Sequence, residues 1–346
     1  MRTGDFKQTY GELVTLVDSP PVWLWSAVLV TSLIAAPFVL NSYALSFLII
    51  ILITMVGTLG LNILTGYTGL ISLGHVGFLV TGAYAYAVLV SRYQMHPLVG
   101  FLGAGVVPAL ASLIVGAPSL RLKGLYLAIT TLAFSFIINT VILEARWLTN
   151  GARGISVQRP EIFGLSFDSD AAFTYLCLGF AIVTLLATLN IRRSRVGRAF
   201  VAIRDNDTAA RVMGINLHAY KLFAFVTSAF ITGLSGALYG IYLSFVSVEG
   251  FPFLLSIEAL AILIVGGLGS ALGAVLGTVL IVLLPEATRL LLFSAQMDAM
   301  FTTGAQELKS MLYGLVIILF LRFQPRGLVG AWHDIRRMWV NWPLRY

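Results

Sequence analysis

Residues 45–64 read LSFLIIILITMVGTLGLNIL, twenty positions without a charged side chain. A helix of about 20 apolar residues spans the hydrocarbon core of a bilayer. The rest of the 346-residue chain has the same character, because 58% of its residues are hydrophobic and only 11% are charged. Soluble globular domains carry about 25% charged residues. The chain has too few polar groups to cover a water-soluble fold, and its composition predicts an integral membrane protein.

Apolar runs recur along the chain and predict an all-α fold, a polytopic transmembrane helical bundle of about ten spans that includes glycine-broken short helices. The spans are predicted at 22–40, 45–64, 76–91, 98–116, 121–143, 172–191, 220–245, 255–267, 270–284 and 308–323. They form one membrane domain over 22–323. A polar tail over 1–21 precedes it, without the pattern of a cleavable signal, and a basic tail over 324–346 follows it.

The formal net charge of +7 is concentrated in a few places. The segment 192–221, the tail from Arg322 onward, and the pair Arg121 and Lys123 hold 14 of the 22 basic residues. Basic residues collect in the cytoplasmic loops of membrane proteins. The distribution therefore predicts that these three places and both termini are cytoplasmic, and it argues for contact with membrane lipid and against a nucleic-acid partner.

The apolar run 255–284 is interrupted by four glycines, at positions 266, 267, 269 and 273. A single span over this run would leave three crossings between the basic loop and the basic C-terminal tail, and would place them on opposite sides. Two short or re-entrant helices give four crossings and place both in the cytoplasm. We therefore predict a glycine-broken pair of helices, with Gly266 and Gly267 as candidate residues of a translocation pathway.

A second glycine-rich stretch, Gly66 to His75, lies between two apolar spans. Its glycines and hydroxyl residues are poor material for a regular helix, and irregular backbone at membrane depth is tolerated where it is buried in protein or lines a cavity. One interpretation is a broken helix that meets a zwitterionic solute; the other is a tight turn with packing glycines. The candidate pathway residues here are Gly66, Tyr67, Thr68, Gly69, Ser72, Gly74 and His75.

The loop over 192–219 contains the elements of a short capped helix. Asp205, Asn206 and Asp207 offer N-cap oxygens, and Gly214 suits the left-handed position that ends a helix. Two interpretations are open for the intervening residues 208–213. The helix docks into a cytoplasmic partner, or it rests on anionic lipid headgroups.

Glu258 is the one acidic residue that we place well inside a span, and intramembrane ionisable groups are candidates for function. It completes the candidate pathway set, although it could instead pair near a helix end. No phosphate-binding loop, catalytic constellation or metal-binding spacing occurs in the sequence. We therefore expect no enzyme activity, no metal and no cofactor on this chain, and we expect Cys177 to be a buried apolar residue.

Four stretches, in order, carry a resemblance to a known family. They read GLNILTGYTGLISLGH over 60–75, RLKGLYLAITTLA over 121–133, GRAFVAIRD with AARVMGIN over 197–216, and SIEAL with VGGLGS over 256–270. This series resembles the M-type subunit of the high-affinity branched-chain amino acid permeases.

The resemblance implies a multi-pass protein of the bacterial inner membrane that pairs with a second, similar permease. It also implies two cytoplasmic ATPase subunits, which use ATP and Mg, and a periplasmic binding protein that delivers solute. Such importers carry a coupling helix with the pattern Glu-Ala-Ala-x3-Gly, and here Thr208 replaces the acid. The implied coupling residues are Arg198, Arg204, Asp205, Asp207, Thr208, Ala209, Ala210 and Gly214.

The predicted function is therefore the permease subunit of an ATP-driven importer of branched-chain or related hydrophobic amino acids. Urea or a short amide is the alternative solute, because sister permeases share a similar Gly-Tyr-Thr-Gly signature. An ion-coupled secondary transporter is disfavoured by the sparse intramembrane charge, and a membrane-embedded enzyme by the missing catalytic groups.

Overall fold

The structure is a computed structural model that describes residues 20–119, 122, 124–162, 164–294, 305–324 and 327–340. Its helices are α1 Pro20–Val39, α2 Ser42–Leu61, α3 His75–Ala87, α4 Pro97–Ser119, α5 Leu125–Glu144, α6 Arg146–Thr149, α7 Asp170–Arg193, α8 Arg195–Asp205, α9 Asp207–Val212, α10 Leu217–Leu243, α11 Leu254–Gly266, α12 Ala271–Ser294, α13 Ala305–Phe323 and α14 Gly327–Val340. The π-helical turns Asn62–Tyr67 and Val88–Arg92 extend α2 and α3, and short 3-10 turns cover Gly151–Arg153 and Val248–Gly250.

The prediction of a mostly helical membrane bundle is confirmed. Within the described residues, six helical segments are long and apolar enough to cross a membrane: Ser42–Tyr67, Pro97–Ile114, Leu125–Glu144, Asp170–Arg193, Leu217–Leu243 and Val248–Gly266. Shorter apolar helices cover Val30–Val39 and Ala271–Glu286. Residues 1–19, Arg121, Lys123, Arg326 and Arg345 lie outside the described residues. The C-terminal segment that we predicted as a basic tail contains α14.

Helix α10 is the centre of the bundle and packs against α2, α3 and α4. The packing depends on very close backbone approach. A Cβ on Gly233 would lie 2.1 Å from the carbonyl oxygen of Ala104 in α4, and a Cβ on Gly236 would lie 2.0 Å from that of Leu79 in α3. Small residues permit such contacts, and helices in lipid associate through them because no hydrophobic driving force acts between them.

Gly236→Ala is expected to destabilise the bundle, because the new methyl group can be accommodated only if α10 moves away from α3. Overpacking a well-filled core costs about 1–3 kcal/mol, and here the obstructing atom is backbone. The thermal unfolding of the detergent-solubilised chain should show a lower Tm. Gly179→Ala on α7 is the matched control, because nothing lies within 4 Å of its Cβ position. Equal melting temperatures for both variants would contradict the packing argument.

The predicted glycine break in the run 255–284 is confirmed, since α11 ends at Gly266 and α12 begins at Ala271. Gly267 and Gly269 have φ angles of 113° and 78°, a region that L side chains rarely adopt. A Cβ on Gly266 would lie 1.9 Å from the carbonyl oxygen of Gly273, so the two helices meet directly beside the break. Helix α13 packs on α11, and α14 contacts both α11 and α12.

In contrast to the all-α prediction, four two-residue strands occupy loops among the described residues. Strand β1, Ile155–Ser156, pairs antiparallel with β4, Phe245–Val246, while β2, Glu161–Ile162, and β3, Leu165–Ser166, form a hairpin. The β1–β4 pair joins the connection after α5 to the end of α10. The strands give the loop backbone in these connections hydrogen-bond partners. A strand of two residues is too short to produce a recognisable sequence pattern.

Candidate functional site

The glycine-rich stretch after α2 is a segment of non-helical backbone within the bundle. The π-helical turn keeps Gly66 and Tyr67 helical, Thr68 is still helical, and the irregular part runs from Gly69 to Gly74. Gly69 has a φ of 71° and starts the change of direction. Burial then alternates, because Leu70 and Ser72 are buried whereas Ile71 is 46% exposed. The segment therefore has one edge packed in the protein and the other edge open.

Hydroxyl groups from three helices hold the backbone of this segment. Thr65 Oγ1 donates to the carbonyl oxygen of Leu70 (3.1 Å), and the Leu73 amide donates to Thr131 Oγ1 of α5 (3.0 Å). The Val76 amide, in the first turn of α3, donates to Ser256 Oγ of α11 (2.9 Å). A Cβ on Gly74 would lie 2.4 Å from the carbonyl oxygen of Thr131. Backbone polar groups at membrane depth need partners of this kind.

The open edge allows a labelling experiment. Cys177 is the single cysteine of the chain and is fully buried, so Ile71→Cys introduces one accessible thiol. If the open edge faces a water-filled pathway, a charged maleimide should modify the Ile71→Cys variant about tenfold or more faster than Leu70→Cys, because thiol reactivity follows exposure. Leu70 is the adjacent, 8% exposed position.

Equal, slow labelling of both variants in the membrane-embedded chain would place this edge against lipid, where a charged reagent does not reach. The chain without a substitution, treated with the same reagent in detergent, measures the background labelling of Cys177.

His75 and Glu258 line the same small cavity, together with Ser235, Tyr239 and Gly57 among others. The cavity has a volume of about 50 Å³, which is room for roughly three waters and far below the roughly 300 Å³ of an ordinary ligand pocket. His75 is 4% exposed and Glu258 is 7% exposed. In this conformation the cavity can hold water or a small ion between α2, α3, α10 and α11, but not an amino acid.

The short capped helix predicted in the loop 192–219 is confirmed as α9. Asn206 is its N-cap, and its Oδ1 accepts hydrogen bonds from the amides of Thr208 (2.9 Å) and Ala209 (3.0 Å). Gly214 has a φ of 84° and ends the helix, as predicted. Its amide donates to the Arg211 carbonyl and the Ile215 amide donates to that of Ala210, the hydrogen-bond pair of a Schellman motif.

Helix α9 has an exposed C-terminal tip, formed by Val212 and Met213, and its opposite side is attached to the bundle. Val212 is 82% exposed and Met213 is 81% exposed, whereas Ala210 is buried against the bundle. The Lys221 ammonium, itself buried in α10, donates to Asp207 Oδ2 at 2.9 Å. The Asp207 carboxylate therefore fixes α9 to α10 from inside the chain. The exposed surface of the helix consists of Thr208, Ala209, Arg211 and the residues of the tip.

Arg204, at the end of α8, reaches from this loop to the glycine-rich segments. Its Nη1 donates to the carbonyl oxygen of Gly66 at 2.6 Å. A Cβ on Gly269 would lie 2.4 Å from the same nitrogen, and a Cβ on Gly69 would lie 3.2 Å from Arg204 Cγ. The amide of Gly269 in turn donates to Asn62 Oδ1 at 3.1 Å.

The structure thus brings some predicted site residues together and leaves others apart. Arg204 joins Gly66 and Gly69, beside the break that follows Gly266 and contains Gly267. His75 and Glu258 share the cavity. Asp205 is exposed at the end of α8, and Arg198 donates to the carbonyl oxygen of Arg193. Tyr67, Thr68 and Ser72 are buried in the bundle, whereas Gly214 and Thr208 lie at the exposed end of the loop.

Four polar residues of these sites were missed by reasoning from the sequence: Asn62, Thr131, Lys221 and Ser256. A signal existed for two of them. Asn62 is a buried amide in a strongly apolar helix, and Lys221 begins an apolar span, a position that snorkelling usually explains. Single hydroxyl residues in an apolar helix, such as Thr131 and Ser256, usually bond to their own helix backbone, so their roles could not be read from the sequence.

Comparisons with known proteins agree with this architecture. A family profile described as the permease component of branched-chain amino acid transport systems matches residues 43–321. The chain is 31% identical to the high-affinity branched-chain amino acid transport system permease protein LivM of Escherichia coli K12, over 88% of this chain and 74% of that protein. It is 26% identical to the permease protein LivH of the same organism, over 79% of this chain and 89% of that protein.

A more distant relative is the probable LivM permease protein of Methanocaldococcus jannaschii, 25% identical over 73% of this chain and 76% of that protein. No solved structure matches the chain.

Proposed function

The chain belongs to the family of branched-chain amino acid transport permeases, and from this premise we propose that it forms half of the translocation pathway of an ATP-driven importer of branched-chain amino acids. The observation that carries the proposal is the match of nearly the whole described bundle, residues 43–321, to that family. Relatives of both the LivM and the LivH type match the chain, with the higher identity to LivM. A LivH-type permease is therefore the second subunit of the proposed heterodimer.

The proposed topology has ten spans with both termini in the cytoplasm of a bacterial inner membrane. It is supported by the two ends of the bundle. One end carries α8, α9, the Gly267–Gly269 break and the start of α14, where a Cβ on Gly327 would lie 2.5 Å from the Gly267 amide. The other end carries the paired strands β1 and β4. Basic residues concentrate at the first end, which the positive-inside tendency assigns to the cytoplasm.

In the proposed mechanism, α9 is the coupling helix and docks its exposed tip into a cytoplasmic ATPase subunit. Binding of ATP by two such subunits closes them on each other and moves α9. The bundle then exchanges between conformations that open to opposite sides. ATP shifts this equilibrium only because one conformation binds it better. All ATP hydrolysis belongs to the partner subunits, and this chain contributes the docking helix and the pathway wall.

In this proposal, leucine, isoleucine and valine pass along walls from which charged groups are nearly absent and which suit their apolar side chains. Within the segment 66–74, the proposed contacts are the open edge at Ile71 and the exposed backbone of Gly69, since the Gly66 carbonyl is already bound by Arg204. Glycine leaves carbonyl and amide groups approachable, so that the charged ends of an amino acid could bond to them while its side chain meets apolar residues.

The test is co-purification followed by uptake. The tagged chain, gently extracted from its native membrane, should bring with it a second permease and two ATPases that mass spectrometry identifies. In proteoliposomes with the cognate binding protein, this complex should take up labelled leucine only with ATP. Uptake of urea in preference to leucine would show that the solute is urea and not a branched-chain amino acid. A chain recovered alone that still transports, and that stops with an uncoupler rather than with ATP depletion, would refute the ATP-driven mechanism.

A further inference from the structure

Arg204 is placed where two glycine-containing segments meet, residues 66–74 and residues 266–273. Its aliphatic part lies beside Gly69, and its guanidinium lies beside Gly269 and donates to the carbonyl oxygen of Gly66. Gly69 and Gly269 both have positive φ angles, 71° and 78°. A side chain at Gly269 would displace the guanidinium, so the absence of a Cβ there is what admits Arg204 between the two helix breaks.

The chemistry of this contact is that of a helix end. Gly66 lies in the last turn of the helix that runs from Ser42 to Tyr67. The last carbonyls of a helix have no partner within it and carry partial negative charge. A cationic donor satisfies both needs, and hydrogen bonds that involve a charged group are about twice as strong as neutral ones. A carbonyl in the last turn of α2's π-helical extension is thus bound by a residue of the loop 192–219.

Asn62 connects the end of α2 to the break between α11 and α12. It is fully buried, and its Oδ1 accepts a hydrogen bond from the Gly269 amide at 3.1 Å. We call Asn62, Gly66, Arg204 and Gly269 the arginine clasp. Through the clasp, the end of α8 is connected to the break after α2 and to the break between α11 and α12.

The clasp lies close to the docking helix. Only Asn206 separates α8 from α9, and the Lys221–Asp207 pair fixes the first residue of α9 to α10. Arg204 lies a few positions before the exposed α9 surface in a short, hydrogen-bonded connection, and a displacement of α9 must displace Arg204 with it.

We propose that Arg204 is the positioning residue that transmits the movement of α9 to the two glycine breaks, so that both broken helices move together when the ATPase subunits close. The inference rests on the coupling role of α9 proposed above and adds to it the residue and the contacts through which the movement reaches the pathway. Arg204 touches no solute; it acts through the backbone of Gly66 and the segment around Gly269.

The experiment compares Arg204→Gln, Arg204→Lys and the control Arg195→Gln in the complete transporter, reconstituted with its partner subunits and binding protein. Arg195 is an exposed arginine at the other end of α8. The readout is the amount of leucine taken up per ATP hydrolysed. Arg204→Gln should retain ATP hydrolysis but lose about tenfold in this ratio, the effect of removing one charge-assisted hydrogen bond. Arg204→Lys should recover part of the loss, and Arg195→Gln should keep the original ratio.

A second measurement reports the linkage directly. Spin labels at Val201→Cys on α8 and Leu272→Cys on α12 occupy positions that are 40% and 67% exposed. With Arg204 present, their separation should stay the same between the nucleotide-free and the ATP-trapped transporter. In the Arg204→Gln background it should change, because α8 then moves without the break.

Three results would overturn the proposal: an unchanged uptake ratio in Arg204→Gln, an unchanged label separation in that background, or a loss of uptake that merely follows a lower melting temperature and poorer assembly. The last would assign Arg204 to fold stability alone. Failure of the proposed function would give a different result, because the transporter with Arg204 intact would then show no ATP-dependent uptake.

Discussion

Replacing Val212 and Met213 together by aspartate is expected to weaken docking of the ATPase subunits about a thousandfold and to abolish measurable uptake. The two side chains form the exposed apolar tip of α9. Hot-spot residues at the centre of an interface contribute about 2 kcal/mol or more each, and about 4 kcal/mol for a pair of them corresponds to a factor of about a thousand in Kd. Aspartate adds the cost of removing a charge from water.

The measurement is the Kd of the purified ATPase subunits for the permease pair in nanodiscs, together with uptake. Leu165→Asp is the control, because Leu165 is 67% exposed and lies in the β2–β3 hairpin at the opposite end of the bundle. Both variants should insert and melt normally, since none of the changed side chains is buried. Undiminished docking of the α9 variant would mean that this helix rests on lipid rather than on an ATPase.

Lys221→Met is expected to detach α9 from the bundle and to lower uptake tenfold or more. The Lys221 side chain is 7% exposed and that of Asp207 is 21% exposed, so the ion pair is largely shielded from water. Removing one partner of a buried pair is strongly destabilising because the other charge stays behind. The partial exposure of Asp207 reduces the expected cost to about 2 kcal/mol.

The informative comparison is the double variant Asp207→Asn with Lys221→Met, which removes both charges and should recover much of the stability and uptake. Hydrogen exchange of residues 207–213, measured by mass spectrometry, should rise in Lys221→Met and return toward the original value in the double variant. Equal exchange in all three proteins would show that the ion pair does not hold α9.

Local rules explain what could be predicted from the sequence. The cap at Asn206 and the end at Gly214 depend on residues within a few positions of each other, and both appear in the structure as expected. The break after Gly266 followed from a cluster of glycines in one apolar run. Chain composition decided the membrane-helical class, because a bilayer removes the need for a polar surface.

Contacts between distant residues explain what could not. Arg204 was predicted as a coupling residue and Gly66 as a pathway residue, but nothing in the sequence indicated that one binds the other. The residues of the β1–β4 pair are likewise too few and too far apart to produce a pattern. His75 and Glu258 share a cavity because α3 and α11 pack side by side, where the Val76 amide donates to Ser256 Oγ.

The arginine clasp also has a consequence for biosynthesis. Arg204 follows Gly66 by 138 positions, and Gly269 follows Asn62 by 207. At roughly 5–20 residues per second, the ribosome needs roughly 7–28 s to supply the first partner and roughly 10–40 s to supply the second. During that interval the end of α2 lacks its final hydrogen bonds. Because the clasp lies at the end of the bundle rather than at its middle, interfacial water can bond to these groups until the rest of the chain has been inserted.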